Sequence, residues 1–126
     1  MRLLLDAHVV IWWDSGSAKL GATARKTIRD AHTVYVSAAS EWEVAIKSSL
    51  GKIRLDRTVL DAVQDAGFEP LPVSFHHARM IGRLKPIHKD PFDRLLIATA
   101  LVEGLTLVTA DDVAGRYGID VIDARR

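Results

Sequence analysis

Short apolar runs alternate with amphipathic stretches along the whole chain, the pattern of strand–helix–strand units around a parallel sheet. The first run, Leu3-Leu4-Leu5, has no polar alternation, which suits a strand covered on both faces, and Asp6 follows at its end. Ala7 to Trp13 reads as a short helix closed by Asp14-Ser15-Gly16-Ser17, and Ala22 to Ala31 as a second. Thr33 to Val36 is β-rich and forms the next strand. Ser37 then stands where an N-cap belongs, for a helix from Ala38 to Leu50 with Gly51 as its C′ residue. The 3.6-residue period places Trp42, Ala45, Ile46 and Ser49 of that helix on one face, with Trp42 turned inward.

The second half continues the alternation. Asp56 to Ala66 reads as a helix ended by Gly67, and Phe68 to Val73 is extended, its two prolines allowing an edge strand at most. Ser74 can cap a helix running to about Arg83. A polar loop with Lys85, Pro86, His88 and Lys89 leads to the clearest helix start in the chain: Asp90 at N-cap, Pro91 at N1, Asp93 at N3. That helix spans Phe92 to Glu103, with Leu96, Ile97, Ala100 and Leu101 as an apolar face and Gly104 as its stop. Leu105 to Val108 is a strand, Val113 to Tyr117 a short helix, and Ile119 to Ile122 a last strand at an edge.

Composition narrows the picture by exclusion. A chain of 126 residues reads as one α/β domain over residues 1–126, with hydrophobic and charged fractions of 48% and 26% that are ordinary for a globular protein. The net charge of +1 is no nucleic-acid signature, so any such partner must be argued from local charge. With no cysteine, disulfides, thiolate zinc sites and a Cys nucleophile are excluded. No segment approaches the roughly 20 apolar residues of a membrane span. Asp6 and His8 interrupt the N-terminal apolar stretch where a secretory leader would continue. The expectation is a soluble, cytoplasmic protein with no membrane association.

Four acids occupy recurring places in this layout. Asp6 ends the first strand, Glu43 lies on the helix after the second, Asp93 is in the first turn of the long helix, and Asp111 follows the next strand. In a parallel sheet, strand ends and helix starts gather at one edge, so the four carboxylates can converge there. Each also has a plainer reading. Asp6 suits an N-cap, Glu43 is four residues before Lys47 and suits a surface ion pair, and Asp90 and Asp93 complement a positive helix end. Asp111 or Thr109 can cap the last helix. Two neighbours stay open as alternatives, Glu41 beside Glu43 and Asp112 beside Asp111. Helical periodicity leaves Glu41 and Glu43 on different flanks and does not choose between them.

The order of these motifs resembles the PIN-domain ribonucleases, and among them the toxins of VapBC toxin–antitoxin systems, over nearly the whole chain. Leu3-Leu4-Leu5-Asp6-Ala7-His8 with Trp12-Trp13 is similar to the family's opening motif, and Ser37 to Lys47 to its second. His88-Lys89-Asp90-Pro91-Phe92-Asp93-Arg94-Leu95-Leu96-Ile97-Ala98 matches the third and most specific, and Leu107-Val108-Thr109-Ala110-Asp111 the fourth. The resemblance implies a three-layer α/β/α fold with a central, mainly parallel sheet of four or five short strands. It puts the family's catalytic, metal-binding acids on Asp6, Glu43, Asp93 and Asp111, favouring Glu43 over Glu41. It further implies a homodimer neutralised by a small antitoxin whose C-terminal segment covers the site.

Oxygen ligands without Cys or a paired-His motif select a hard cation, Mg²⁺ or Mn²⁺. His76 and His77 are adjacent, so their rings diverge on a helix; His8 and His88 lie nearer the acids, in structural or substrate-contacting roles. Clustered carboxylates repel, and a divalent cation offsets that repulsion while neutralising charge on a phosphoryl oxygen. The reaction expected is in-line hydrolysis of an RNA phosphodiester, leaving a 5′-phosphate and a 3′-hydroxyl. Lys47, Lys85, Lys89 and Arg94 are candidate contacts to the RNA backbone. Thr109 can orient Asp111 or a water, and Trp12 or Trp13 can stack an unpaired base, though as neighbours they cannot both point inward. The competing class is a Mg²⁺-binding regulatory module such as a receiver domain. A receiver needs a paired early acid and a phospho-acceptor Asp ending a middle strand, yet Asp6 has no acidic neighbour and Val36 is followed by Ser37. A catalytically inactive PIN-like interaction domain is a further alternative.

Overall fold

The structure, a computed structural model, describes residues 1–126. Five strands, β1 (Arg2–Leu5), β2 (Thr33–Ser37), β3 (Glu69–Leu71), β4 (Thr106–Thr109) and β5 (Val121–Asp123), form one sheet in the order β3-β2-β1-β4-β5. Every neighbouring pair is parallel. The helices are α1 (Ala7–Ser15), α2 (Ala22–Asp30), α3 (Ala38–Ser49), α4 (Val59–Ala66), α5 (Phe75–Ile81) and α6 (Pro91–Glu103), with a 3₁₀ turn at Ala114–Tyr117. None is long and apolar enough to cross a membrane.

β1 is the central strand, and Leu3, Leu4 and Leu5 are all completely buried. Alternate side chains of a strand point to opposite faces, so this unbroken run feeds two cores. Leu3 and Leu5 join Val9, Val10, Ile28, Val44 and Val63 under α1 to α4, while Leu4 joins Leu96, Ile97 and Ala100 of α6. Burying each leucine stabilises the fold by about 1.5–3 kcal/mol, so a polar residue on either face of β1 has nowhere to go. The result is three layers, helix on sheet on helix. The chain lays down β1, β2 and β3 in one direction, then crosses to β4 and β5 on the far side of β1. The crevice at the carboxyl ends of β1 and β4 is therefore a topological switch point, where open parallel sheets bind ligands.

Three expectations need correction. The inward face of α3 is Ala39, Ser40, Glu43 and Val44, not Trp42, Ala45, Ile46 and Ser49. Trp42, 53% exposed, instead meets Phe92 of α6 edge-on, at 4.7 Å between ring centroids. Next, α4 starts at Val59 rather than Asp56, because Thr58 is its N-cap, accepting from the Asp61 amide. Arg57, just upstream, is drawn into ion pairs with Asp14 and Asp65. Finally, the last short helix is a single 3₁₀ turn. The two-proline segment does form an edge strand, β3, paired only with β2.

Candidate active site

Asp6 is the residue after β1, and its amide donates to the Val108 carbonyl (3.2 Å), carrying the β1–β4 ladder one step beyond the strand. This brings Asp6 beside Thr109, the last residue of β4. The two carboxylate oxygens then do different work. Oδ1 accepts from the Val9 amide at 2.9 Å and caps α1, while Oδ2 accepts from the Thr109 hydroxyl. The same hydroxyl accepts from the Asp111 amide at 3.0 Å, so Thr109 ties two of the four acids together. Asp6 thus caps α1 and lines the cleft at once.

Asp93 enters from the first turn of α6. Asp90 caps that helix, its Oδ1 accepting from the Phe92 and Asp93 amides at 2.9 and 3.1 Å. His88, in the preceding loop, joins this acid to Asp111. Its Nε2 lies 3.1 Å from Asp93 Oδ2 and 2.7 Å from Asp111 Oδ2. Its Nδ1 accepts from the Asp90 amide at 3.2 Å, so the ring hydrogen sits on Nε2, between the two acids. The ligand-bearing atoms of His88, Asp93 and Asp111 lie within 4.8 Å of one another. Sequence reasoning left His88 without a firm place in the site. The signal available was its position in the loop immediately before a helix whose first turn carries Asp93.

Glu43 is 5% exposed and its carboxylate pairs with Lys47 Nζ at 2.5 Å, one turn along α3. The Glu41 alternative is accounted for elsewhere: its carboxylate accepts from the Val59 and Leu60 amides and caps α4 across the helix interface. Asp112 likewise turns away, to Arg125. Asp6, Glu43, Asp93 and Asp111 line one cleft of about 400 Å³ together with Asp90, Lys47, His8, His88 and Trp12. Trp13 points to the other side of α1, against Phe68 and Arg25. Lys85 and Lys89 are exposed on the loop outside the cleft, and Arg94 is committed to the carbonyls of Ile81, Lys85 and His88. His77, buried, completes a capping box with Ser74 and bonds Glu103, while the metal-competent set contains neither it nor His76.

The electrostatics show what this gathering costs. Burial, followed by the nearby charge of Asp90, pushes Asp93 from an ordinary 3.8 up to about 7, with Asp111 and Asp6 adding to the repulsion and His88 opposing it. Burial also raises Asp6, against the hydrogen bonds from Thr109 and Val9. Lys47 is held above its usual range, chiefly by its hydrogen bond to Glu43. Five carboxylates face one ammonium and two imidazoles across the cleft. A bound divalent cation would relieve this excess, and a donor set of carboxylate oxygens suits Mg²⁺ or Mn²⁺.

Residues 3–120 match the model of the PIN domain. The chain is 31% identical to Ribonuclease VapC22 of Mycobacterium tuberculosis (strain ATCC 25618 / H37Rv) over 120 residues, covering 86% of each protein. Its fold is similar to that of VapBC2 from Rickettsia felis bound to a DNA fragment from their promoter, with a TM-score of 0.73, 15% identity and 98% coverage of both chains. It is also similar to DNA-bound VapBC from Salmonella typhimurium, with a TM-score of 0.69, 19% identity and 98% coverage of both.

Proposed function

The chain belongs to the PIN-domain family, and on that premise we propose that it is a divalent-metal-dependent endoribonuclease, the toxin of a toxin–antitoxin pair. The observation that carries this reading is the convergence of Asp6, Glu43, Asp93 and Asp111 on one cleft at the sheet's switch point. The named relative, a ribonuclease, supplies the substrate class. A receiver-like module loses its support, because residues 3–120 match another family.

Asp6, Glu43, Asp93 and Asp111 would hold Mg²⁺ or Mn²⁺, with His88 Nε2 at their margin. The cation supplies charge neutralisation at the phosphoryl oxygens and an acidified water. The chain's own residues do the rest. Thr109 fixes Asp6 Oδ2 and the Asp111 amide. Lys47, one turn along α3 from Glu43, would meet a phosphate oxygen. His88 holds its proton on Nε2 over Asp93 and Asp111, and Arg94 anchors the loop that carries it. Trp12, in the cleft wall, offers a face for a base. Lys85 and Lys89, exposed on the loop outside the cleft, would meet flanking phosphates. As a toxin of this type the protein would act in the cytoplasm as a homodimer, held inactive by an antitoxin segment across the cleft.

The test is cleavage of a panel of structured RNAs with Mg²⁺ or Mn²⁺. Internal cuts leaving 5′-phosphates and 3′-hydroxyls, abolished by chelator, are expected. Cleavage that persists in chelator, or products with a 2′,3′-cyclic phosphate, would rule the mechanism out.

Glu41 and Glu43 give a paired check. Glu41→Ala is expected to lower the melting temperature, by about 1 kcal/mol of lost helix capping, and to leave cleavage intact. Glu43→Gln is expected to lose cleavage at least about a hundredfold with little loss of stability. The reverse pattern would place the wrong glutamate in the site.

A further inference from the structure

The catalytic cleft is acidic and gives an RNA chain little reason to approach it, so affinity for a polyanion must come from cations elsewhere. The sequence concentrates such cations in one place. Pro70 to Lys89 contains no Asp or Glu but holds Arg79, Arg83, Lys85 and Lys89. The lysine and arginine ion pairs of the fold fall instead on Lys26, Lys47, Arg54, Arg57, Arg125 and Arg126. Arg83 and Lys85, with Arg116 from the 3₁₀ turn, are exposed, have no carboxylate partner, and surround one cavity of about 350 Å³ between α5, α6 and that turn. The cavity is not merely charged. Leu84, Leu101 and the Tyr117 ring also line it, and Leu101 is 39% exposed. An apolar wall beside unpaired guanidinium and ammonium groups matches one nucleotide, with the base on the apolar surface and phosphates on the cations.

This cavity is joined to the catalytic cleft through a single side chain. The Tyr117 hydroxyl donates to the Lys85 carbonyl at 2.8 Å and accepts from the Ile87 and His88 amides at 3.2 and 2.7 Å. Tyr117 therefore walls the cavity with its ring and positions the backbone of His88 with its oxygen. Only the Lys85–His88 loop separates the two sites, a span of at most about 13 Å.

We propose that the cavity between α5, α6 and the 3₁₀ turn, lined by Arg83, Lys85, Arg116 and Tyr117, is a second RNA subsite, which holds a nucleotide flanking the scissile bond. This rests on the ribonuclease reading above. The subsite supplies binding energy that the acidic cleft cannot, and it lets a substrate be judged on sequence or structure beyond the cut.

The experiment compares Arg83→Glu/Arg116→Glu with wild type, and with Lys19→Glu/Arg29→Glu as a control on the α2 side of the sheet. A fluorescent 20-nucleotide RNA is titrated by anisotropy in chelator across a salt series, each pair of changes also carrying Asp6→Asn to suppress cleavage. The expected result is a Kd raised about tenfold and a log–log salt slope shallower by about 1.4, two single-strand phosphate contacts, with the control unchanged. In the cleaving background KM rises while kcat stays within twofold. The milder Arg83→Gln/Arg116→Gln pair moves the same way, which separates lost contact from misfolding. If wild type cleaves RNA but the reversal changes neither Kd nor slope, the subsite is overturned alone. If wild type neither binds nor cleaves RNA, the subsite and the ribonuclease reading fall together. Unchanged RNA binding with weakened binding of poly-glutamate would assign the cavity to an acidic protein partner and overturn the proposal.

Discussion

Asp6→Asn is expected to cut RNA cleavage about a thousandfold while leaving the melting temperature at or above that of wild type. The reasoning follows from the two oxygens. Asn caps a helix as well as Asp does, so the bond from the Val9 amide at 2.9 Å and the start of α1 survive. The charge at Oδ2 does not. An acid that helps hold a catalytic cation supplies several kcal/mol at the transition state, and about 4 kcal/mol is a thousandfold in rate. Stability moves the other way in chelator. Burial already raises Asp6, so its ionised form is unfavourable in the folded chain, and a neutral side chain removes that strain. Melting curves and single-turnover cleavage on the same preparations decide it. A variant that melts well below wild type would show Asp6 to be chiefly structural, and one that cleaves at the wild-type rate would remove it from the site.

The second large effect lies in the dependence of stability on pH and metal, and it centres on Asp93. Its pKa is about 7 in the fold against an ordinary 3.8. Between those values the folded chain keeps a proton that the unfolded chain releases. The stabilisation this gives is fully present below about pH 4 and is lost as pH rises through 7. In chelator, wild-type stability should therefore fall from pH 4.5 to 7.5, and Asp93→Asn should flatten the fall. The interval between 3.8 and about 7 corresponds to roughly 4 kcal/mol at full strength. The side chain is 28% exposed, so solvent screening reduces this to about 1–2 kcal/mol, some 3–8 °C in a chain of this size. Metal should reverse the trend. Millimolar Mn²⁺ is expected to raise the melting temperature more at pH 8 than at pH 6, because the cation competes with the proton on Asp93. Asp93→Asn should blunt that rise. Parallel pH profiles in the two proteins, or no Mn²⁺ effect in wild type, would mean that the acids are neighbours without a shared ligand.

How far the site was legible depended on the kind of signal each residue carried. Asp6 and Asp93 stand beside strong local punctuation, a leucine run and an Asp-Pro helix start, so their places in the chain also gave their places in space. Glu43 was ambiguous against Glu41 because both lie on one helix two residues apart. What separates them is α4, whose first-turn amides at Val59 and Leu60 claim Glu41. Trp42 was misplaced for a related reason. A period of 3.6 identifies a face but not which face is buried, and here burial took Ala39, Ser40, Glu43 and Val44. Arg94 looked like a free cation near the acids, but three carbonyls from the end of α5 and the preceding loop engage it.

The sequence by itself determined the alternation of strands and helices, the two-faced burial of β1, and the four acids at strand ends and helix starts, because these are set by near neighbours and by side-chain period. The tertiary structure alone decided that the acids share a cleft, that Asp6 divides its oxygens between α1 and Thr109, and that His88 spans Asp93 and Asp111. It also decided that Arg83, Lys85 and Arg116 surround a cavity next to that cleft. The pairings that define the cleft, Asp6 with Thr109 and His88 with Asp111, join residues far apart in the chain, through the crossover that carries β4 to the far side of β1. Hydrogen bonds and electrostatic repulsion act over a few ångströms, so they remain undefined until that crossover has brought their partners together.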